Sequence, residues 1–387
     1  MRAFNPSVVK ENSPPRGGTP TPRSSRSRAA LGDFFNGFKA VMPGRPDGPR
    51  GGSKDNRQRL GNLEVSEIGV GTWSFGNKFL WGYEPSMDEE LRRVFFEACD
   101  NGINFFDTGD SYGTGSLAGR SESLLGQFCE DYCSERGVGR DKIVVATKFA
   151  AYPWRVTPNS FVSAAKQSAR RLRQDRVDVG QLHWSTANYQ PLQEKAMWRG
   201  LEKIANESLA KEVGLSNYGP RQTLKIADYL KSNDVSLGSA QIQISLLSWG
   251  TLQRDVLDAC KDLGILPIAY SPLALGMLTG RADPDNPRTF PQGPRGGLYR
   301  QVLPGAKPLL RTLEAVAEER GKTIPQVAVN WAICKGTMPI PGAKNVDQLR
   351  GHLGACGWRL SLGEVEELER AAASLPRGMV QNIFQTK

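Results

Sequence analysis

From Leu60 onward the chain alternates short apolar runs with longer stretches in which apolar residues recur every three or four positions, the pattern of β/α units wound around a parallel sheet. Eight runs read as strands. The first four are EIGVGTW (67–73), INFFDT (103–108), IVVATKF (143–149) and VDVGQLHW (177–184). EVGLSN (212–217), SAQIQISLL (239–247), LPIAYSPL (266–273) and MPIPGA (338–343) follow. Between them, residues 86–100 open with acids, place Leu91, Val94, Phe95 and Ala98 on one face and stop at Asn101-Gly102. The same rules predict helices near 121–135, 159–175, 194–210, 220–232, 252–263 and 323–335.

Eight parallel strands close a (β/α)8 TIM barrel, and the unit length of roughly 30 to 40 residues suits βα repeats rather than a solenoid. Two segments exceed the minimal barrel. RLGNLEVS, ahead of the first strand, predicts a hairpin that caps the barrel floor. Residues 281–307, rich in Pro and Gly, predict a long lid loop after strand seven, or else a plain surface insertion.

Charge divides the chain in two. The net charge is +10, yet residues 1–59 hold twelve Lys/Arg against four Asp/Glu, so the remainder is close to neutral. It offers no ordered basic face for nucleic acid. The leader, residues 1–58, is rich in Arg, Ser, Pro and Gly and poor in acids, which predicts a transit peptide for a plastid or, alternatively, a mitochondrion; a disordered basic tail has the same composition. Residues 59–387 are expected to form the barrel. No run approaches the roughly 18 to 20 apolar residues of a membrane-spanning helix, so no transmembrane segment is expected. The six cysteines form no CxxC pair and no cluster with either histidine, which predicts reduced, packed thiols and no bound metal. A monomer is the expected state.

The strand ends carry the chemistry. Asp107 ends strand two, Tyr112 follows in its loop, Lys148 ends strand three and His183 ends strand four. In a closed barrel these ends share one mouth. Each alone has a structural reading: a turn cap, a rim aromatic, a snorkelling lysine, a histidine on a backbone carbonyl. Four ionisable groups at three adjacent ends are hard to explain by packing. An ammonium beside a tyrosine stabilises its phenolate, and a lysine among Val145, Ala146 and Phe149 needs a counter-ion such as Asp107. His183 adds a donor for a carbonyl oxygen. Without a nucleophile-elbow serine, the set favours carbonyl reduction, with the hydride from a bound cofactor.

GVGTW, FFDTGDSYG, VATK, QLHW, VGLSN, AQIQ, AYSPLALGMLTGR and PIPGAKNVDQLR, in that order, make the chain resemble the aldo-keto reductase superfamily. The resemblance implies NADPH-dependent reduction of a small-molecule aldehyde or ketone, with Asp107, Tyr112, Lys148 and His183 as a catalytic tetrad and Tyr112 the general acid. It implies that Gly71, Thr72 and Trp73 border the cofactor NADP(H), and that Ser216, Asn217 and Gln241 hydrogen-bond the nicotinamide carboxamide while Tyr270 stacks on the ring. Ser271, Leu273, Gly276 and Arg281 are implied to follow the pyrophosphate, with Arg288 and Arg295 as further candidates. Beyond strand eight, Gly342, Lys344 and Gln348 are implied at the adenosine 2′-phosphate, where Asn345 suits an N-cap. Gly351 and His352 depart from the Glu and Asn common in the family, which leaves the adenine contacts open: His352 could stack, donate or be an ordinary helix residue. Trp73, Tyr83, Trp154 and Trp184 are candidates for the substrate pocket.

Three other readings compete. Some relatives in the superfamily are cofactor-binding regulatory subunits, though the complete tetrad favours catalysis. A sugar hydrolase would need a second acid at the same mouth, and Asp110 is the near candidate. Nucleic-acid binding would rest on the leader alone.

Overall fold

A computed structural model describes residues 56–387 except 114, 116, 117, 380–384 and 387. The expected leader therefore lies outside the described residues, apart from its last three positions. Those residues begin a hairpin: β1 (Gln58–Leu60) pairs antiparallel with β2 (Leu63–Val65) through the turn Gly61-Asn62, where Gly61 has φ +56°. Asn62 donates from its backbone and its side chain to Glu212 Oε1, at 2.8 and 3.0 Å, which ties the turn to a barrel strand. Leu60 and Val65 point into the barrel interior beside Phe105, Val144, Val179 and Ile268, so the hairpin plugs the floor as its sequence suggested.

All eight expected barrel strands form. They are β3 (Val70–Gly71), β4 (Phe105–Asp107), β5 (Val144–Phe149), β6 (Val177–Leu182), β7 (Ala210–Ser216), β8 (Leu237–Gln243), β9 (Leu266–Tyr270) and β10 (Met338–Ile340). Neighbours in sequence pair in parallel from β3 through β10. The first and last strands then meet: the Gly69 and Gly71 N–H groups donate to the Pro339 and Pro341 carbonyls at 3.0 and 3.2 Å, closing the barrel. A Cβ at Gly71 would stand 2.8 Å from the Ile340 carbonyl oxygen, so the seam admits only glycine there.

The period-two alternation of each strand separates two cores. Val144 and Ala146 of β5 face the barrel interior, while Val145 and Phe149 face the helical layer. The predicted helices appear within a few residues of expectation, among them Asp88–Asp100, Arg120–Arg136, Pro158–Arg171 and Pro220–Lys231. Each is held by an apolar face, such as Leu91, Val94, Phe95, Phe96 and Ala98 in the first.

The region after β9 differs from a lid without a core of its own. It contains helix Pro294–Val302, and Phe290, Tyr299, Val302, Leu303 and Ala306 are buried in the outer core. Helix Lys307–Arg320 follows and buries Leu309, Leu310, Leu313, Val316 and Ala317. Gly-Gly and Pro mask that periodicity in the sequence, but tertiary burial overrides the weak local propensity. Among the described residues no helix is long and apolar enough to cross a membrane.

Candidate active site

Strand register builds the site. Asp107 pairs with Ala146, and Lys148 with Gln181, so the ends of β4, β5 and β6 lie level at the barrel mouth. Lys148 shares the interior parity of Val144 and Ala146. Its Nζ stands 2.5 Å from Asp107 Oδ2 and donates to the Thr108 carbonyl at 2.7 Å. Gln241 Nε2 donates to the other carboxylate oxygen, Oδ1, at 2.7 Å. Burial pushes the lysine's proton affinity down, and the Asp107 carboxylate works against that.

The Tyr112 ring lies 4.8 Å from Lys148 Nζ and 5.9 Å from the His183 ring, between centroids for the latter. Its hydroxyl is held well above the ordinary phenol range, by burial first and by the Asp107 charge second. The sequence reading expected the ammonium to lower it. Desolvation wins, because Lys148 is already committed to Asp107. The phenol therefore stays protonated, the form a proton donor needs. His183 is pushed well below the usual imidazole range by burial and then by Lys148, so it is neutral. Ser111 Oγ lies 3.4 Å from its Nδ1, and Asn217 Nδ2 donates to its carbonyl at 3.0 Å.

Asp110 has a different task from a second catalytic acid. It accepts from Arg155 and from the Ala150 N–H, while its own N–H donates to the Lys148 carbonyl. It pins the 107–112 loop to the end of β5. That removes the partner a two-carboxylate hydrolase would require.

A cleft of about 830 Å³ opens from these four residues. The four tetrad residues line it, as do all the cofactor residues that the resemblance implied except Thr72; of the two further arginine candidates Arg295 lines it and Arg288 does not. Thr72 is fully buried, with Oγ1 donating to the Asp107 carbonyl at 2.9 Å and lying 2.7 Å from Ser121 Oγ; it braces β4 from within. Gln241 and Asn217 line the cleft but are partly engaged. The Gln241 amide nitrogen serves Asp107, and Asn217 Oδ1 accepts from the Tyr270 hydroxyl at 2.7 Å. Of the aromatic candidates, Trp73 and Trp184 line the cleft and two do not. Tyr83 is buried with its hydroxyl donating to Asp88 at 2.6 Å, and Trp154 is 72% exposed, stacked on Tyr152.

Trp81 was missed. It lines the cleft, with the Arg295 guanidinium carbon 4.3 Å from its ring centroid and Lys344 Nζ 3.4 Å from its carbonyl oxygen. A half-buried tryptophan in a four-residue helix carries no local signal. The backbone from Ser271 to Gly276 has positive φ at Ser271, Ala274, Leu275 and Gly276, strain of the kind that collects where a chain wraps a ligand. Beyond β10, Asn345 caps its helix as expected, its Oδ1 accepting from the Gln348 N–H at 2.9 Å, while Gln348 Oε1 accepts from the Lys344 N–H. His352 Nε2 lies 3.2 Å from the Gly342 carbonyl, and burial brings the ring down to about 4. The neutral ring donates through Nε2, which leaves Nδ1 a buried acceptor without a partner among the described residues. The six cysteines are all free.

Known proteins resemble the chain in sequence and in fold. The model of the aldo/keto reductase family matches residues 67–373. The chain is 53% identical to the chloroplastic pyridoxal reductase of Arabidopsis thaliana over 329 residues, 85% of this chain and 89% of that one. It is 28% identical to the L-glyceraldehyde 3-phosphate reductase of Escherichia coli over 76% of this chain and 84% of that one. Among solved structures, the glycerol dehydrogenase of Gluconobacter oxydans superposes with a TM-score of 0.67 at 24% identity, over 86% of this chain and 100% of that one. With the closed barrel, the four strand-end residues and these matches in hand, the chain belongs to the aldo/keto reductase family of oxidoreductases.

Proposed function

We propose that the protein is an NADPH-dependent carbonyl reductase and that pyridoxal is its substrate. The observation that carries the reaction class is the convergence of Tyr112, Lys148, Asp107 and His183 on one cleft. The substrate rests on the 53% identity to the Arabidopsis pyridoxal reductase.

The residues fit the cofactor. Gly276, with φ +99°, lets the backbone pass along the cleft against the Tyr299 hydroxyl, which a Cβ would meet at 2.8 Å. Arg281, Lys344 and Arg295 line the cleft and would hold phosphates, with Lys344 placed for the 2′-phosphate beside the capped helix Val346–Leu353. The orphan His352 Nδ1 would accept from the adenine amino group. Ser216, the Gln241 side-chain oxygen Oε1 and Asn217 would meet the carboxamide, and Tyr270 the ring. When bound, NADPH supplies the hydride that adds to the carbonyl carbon.

The chain's own residues do the rest. The neutral His183 ring donates to the substrate carbonyl oxygen and orients it. Tyr112, protonated, transfers its hydroxyl proton to that oxygen as negative charge develops there. Lys148, held charged by Asp107, stabilises the phenolate left behind. Trp73 and Trp184 give flat apolar walls suited to an aromatic aldehyde.

NADPH consumption measured against pyridoxal, glyceraldehyde 3-phosphate and an aliphatic aldehyde panel, with Tyr112→Phe as control, tests the reading. The expected result is turnover of pyridoxal that disappears in the variant. Tight NADPH binding with no turnover of any carbonyl would favour a regulatory barrel instead.

The plastid is the proposed destination, supported by the composition of residues 1–58 and by the chloroplastic Arabidopsis relative. Residues 1–58 fused to a fluorescent protein should accumulate in plastids; a cytosolic signal would remove the proposal.

A further inference from the structure

Thr386 stands 169 positions from Asn217 in the sequence and against it in space. The Thr386 N–H donates to the Asn217 carbonyl at 3.3 Å, and the Gly219 N–H donates to Thr386 Oγ1 at 2.8 Å. Thr386 is only 3% exposed, although it lies in no helix or strand. What it fastens is a strained turn: Asn217 is a non-glycine residue with φ +60°, immediately after β7. Its backbone N–H donates to the Gln241 backbone carbonyl of the neighbouring strand β8 at 2.9 Å.

Asn217 is the hub of the nicotinamide end. One side of its amide receives the Tyr270 hydroxyl at 2.7 Å, and the other donates to the His183 carbonyl at 3.0 Å. A left-handed asparagine relaxes toward ordinary backbone unless its surroundings hold it. Slackness there would reach the stacking plate and the catalytic histidine together.

We propose that Thr386 is a positioning residue for the nicotinamide half of the cofactor site, acting through the 217–219 turn. The inference rests on the NADPH reading above. Losing the hydroxyl leaves the buried Gly219 N–H without its acceptor, which the turn can relieve only by moving.

The test compares Thr386→Val, of nearly the same shape, with Thr386→Ser, which keeps the hydroxyl, in the full chain. Binding of NADPH and of 2′,5′-ADP, which lacks the nicotinamide, is measured by fluorescence titration. Thr386→Val should weaken NADPH about five-fold and leave 2′,5′-ADP unchanged, and Thr386→Ser should restore NADPH. Equal weakening of both ligands would make Thr386 a general stabiliser and overturn the proposal, as would unchanged NADPH affinity. Failure of the wild-type chain to bind NADPH at all would sink the reading beneath it, and this proposal with it.

Discussion

Lys148 Nζ stands 2.5 Å from Asp107 Oδ2 with neither side chain more than 2% exposed, so the tetrad is built around a buried ion pair. Removing one partner of such a pair leaves an uncompensated charge, at a cost of about 3–5 kcal/mol. Lys148→Met and Asp107→Asn should each lower stability by that order in chemical denaturation. The double variant, with no buried charge left, should recover much of that stability and none of the activity. Recovery of turnover in the double variant would show that the pair serves folding alone.

Tyr112→Phe should reduce carbonyl reduction by orders of magnitude while NADPH affinity changes little, since only the hydroxyl transfers the proton. Because burial holds that hydroxyl well above the ordinary phenol range, wild-type reduction should show no tyrosine titration at neutral or mildly alkaline pH. A rate that falls through a single ionisation near neutrality, and loses that ionisation in the variant, would contradict the assignment.

The sequence made the candidate catalytic residues legible because Asp107, Lys148 and His183 each fall at the end of an apolar run, where period-two parity and the barrel rule fix direction, and Tyr112 follows in the loop after the first of these runs. The eight strands and the hairpin were legible for the same reason. Thr72 was misplaced because GVGTW gives no sign of which residue turns inward at a two-residue strand; the answer depends on Ser121, 49 positions away. The fold of 281–307 was hidden because Phe290 and Tyr299 find their partners only in tertiary space. Thr386 could not have been found, since its partners lie in the turn after β7.

Desolvation keeps both histidines neutral, which makes stability depend on pH in a set direction. His352 titrates at about 4 rather than 6.5, while the unfolded chain takes up the proton near 6.5. Between those values the unfolded state binds more protons, so stability is full above that window and is lost as pH falls through it. The shift corresponds to about 3 kcal/mol. His352→Gln should therefore lose about that much less stability between neutral and acid pH in paired denaturation curves. Parallel curves would mean that His352 protonates without cost.

Lys344→Ala should weaken NADPH far more than NADH, because only the former carries the 2′-phosphate. Lys344 is half buried, and burial together with Arg295 pushes its ammonium below the usual lysine range, so a phosphate would find it poorly neutralised by the protein. Equal loss for the two cofactors in binding titrations would place the side chain elsewhere.

Arg295, in the segment after β9, and Trp81, in the segment after β3, meet at the cleft. The guanidinium carbon is 4.3 Å from the indole centroid, Nη2 donates to the Leu275 carbonyl at 2.9 Å, and the Trp81 carbonyl accepts from Lys344. A cation–π contact of this kind contributes about 0.5–2 kcal/mol, and the hydrogen bond about 1 kcal/mol more. Since helix Pro294–Val302 is anchored by buried Tyr299 and Val302, the clasp needs no refolding of the segment, only separation of two side chains. Arg295→Ala should therefore speed NADPH dissociation about ten-fold in stopped-flow measurements and leave association nearly unchanged. Arg295→Lys separates two causes: it keeps the charge but loses the planar stacking, so it should release cofactor nearly as fast as the alanine variant. Wild-type release from Arg295→Lys would assign the effect to charge on the phosphates, and wild-type release from both variants would leave the clasp without a role in holding cofactor.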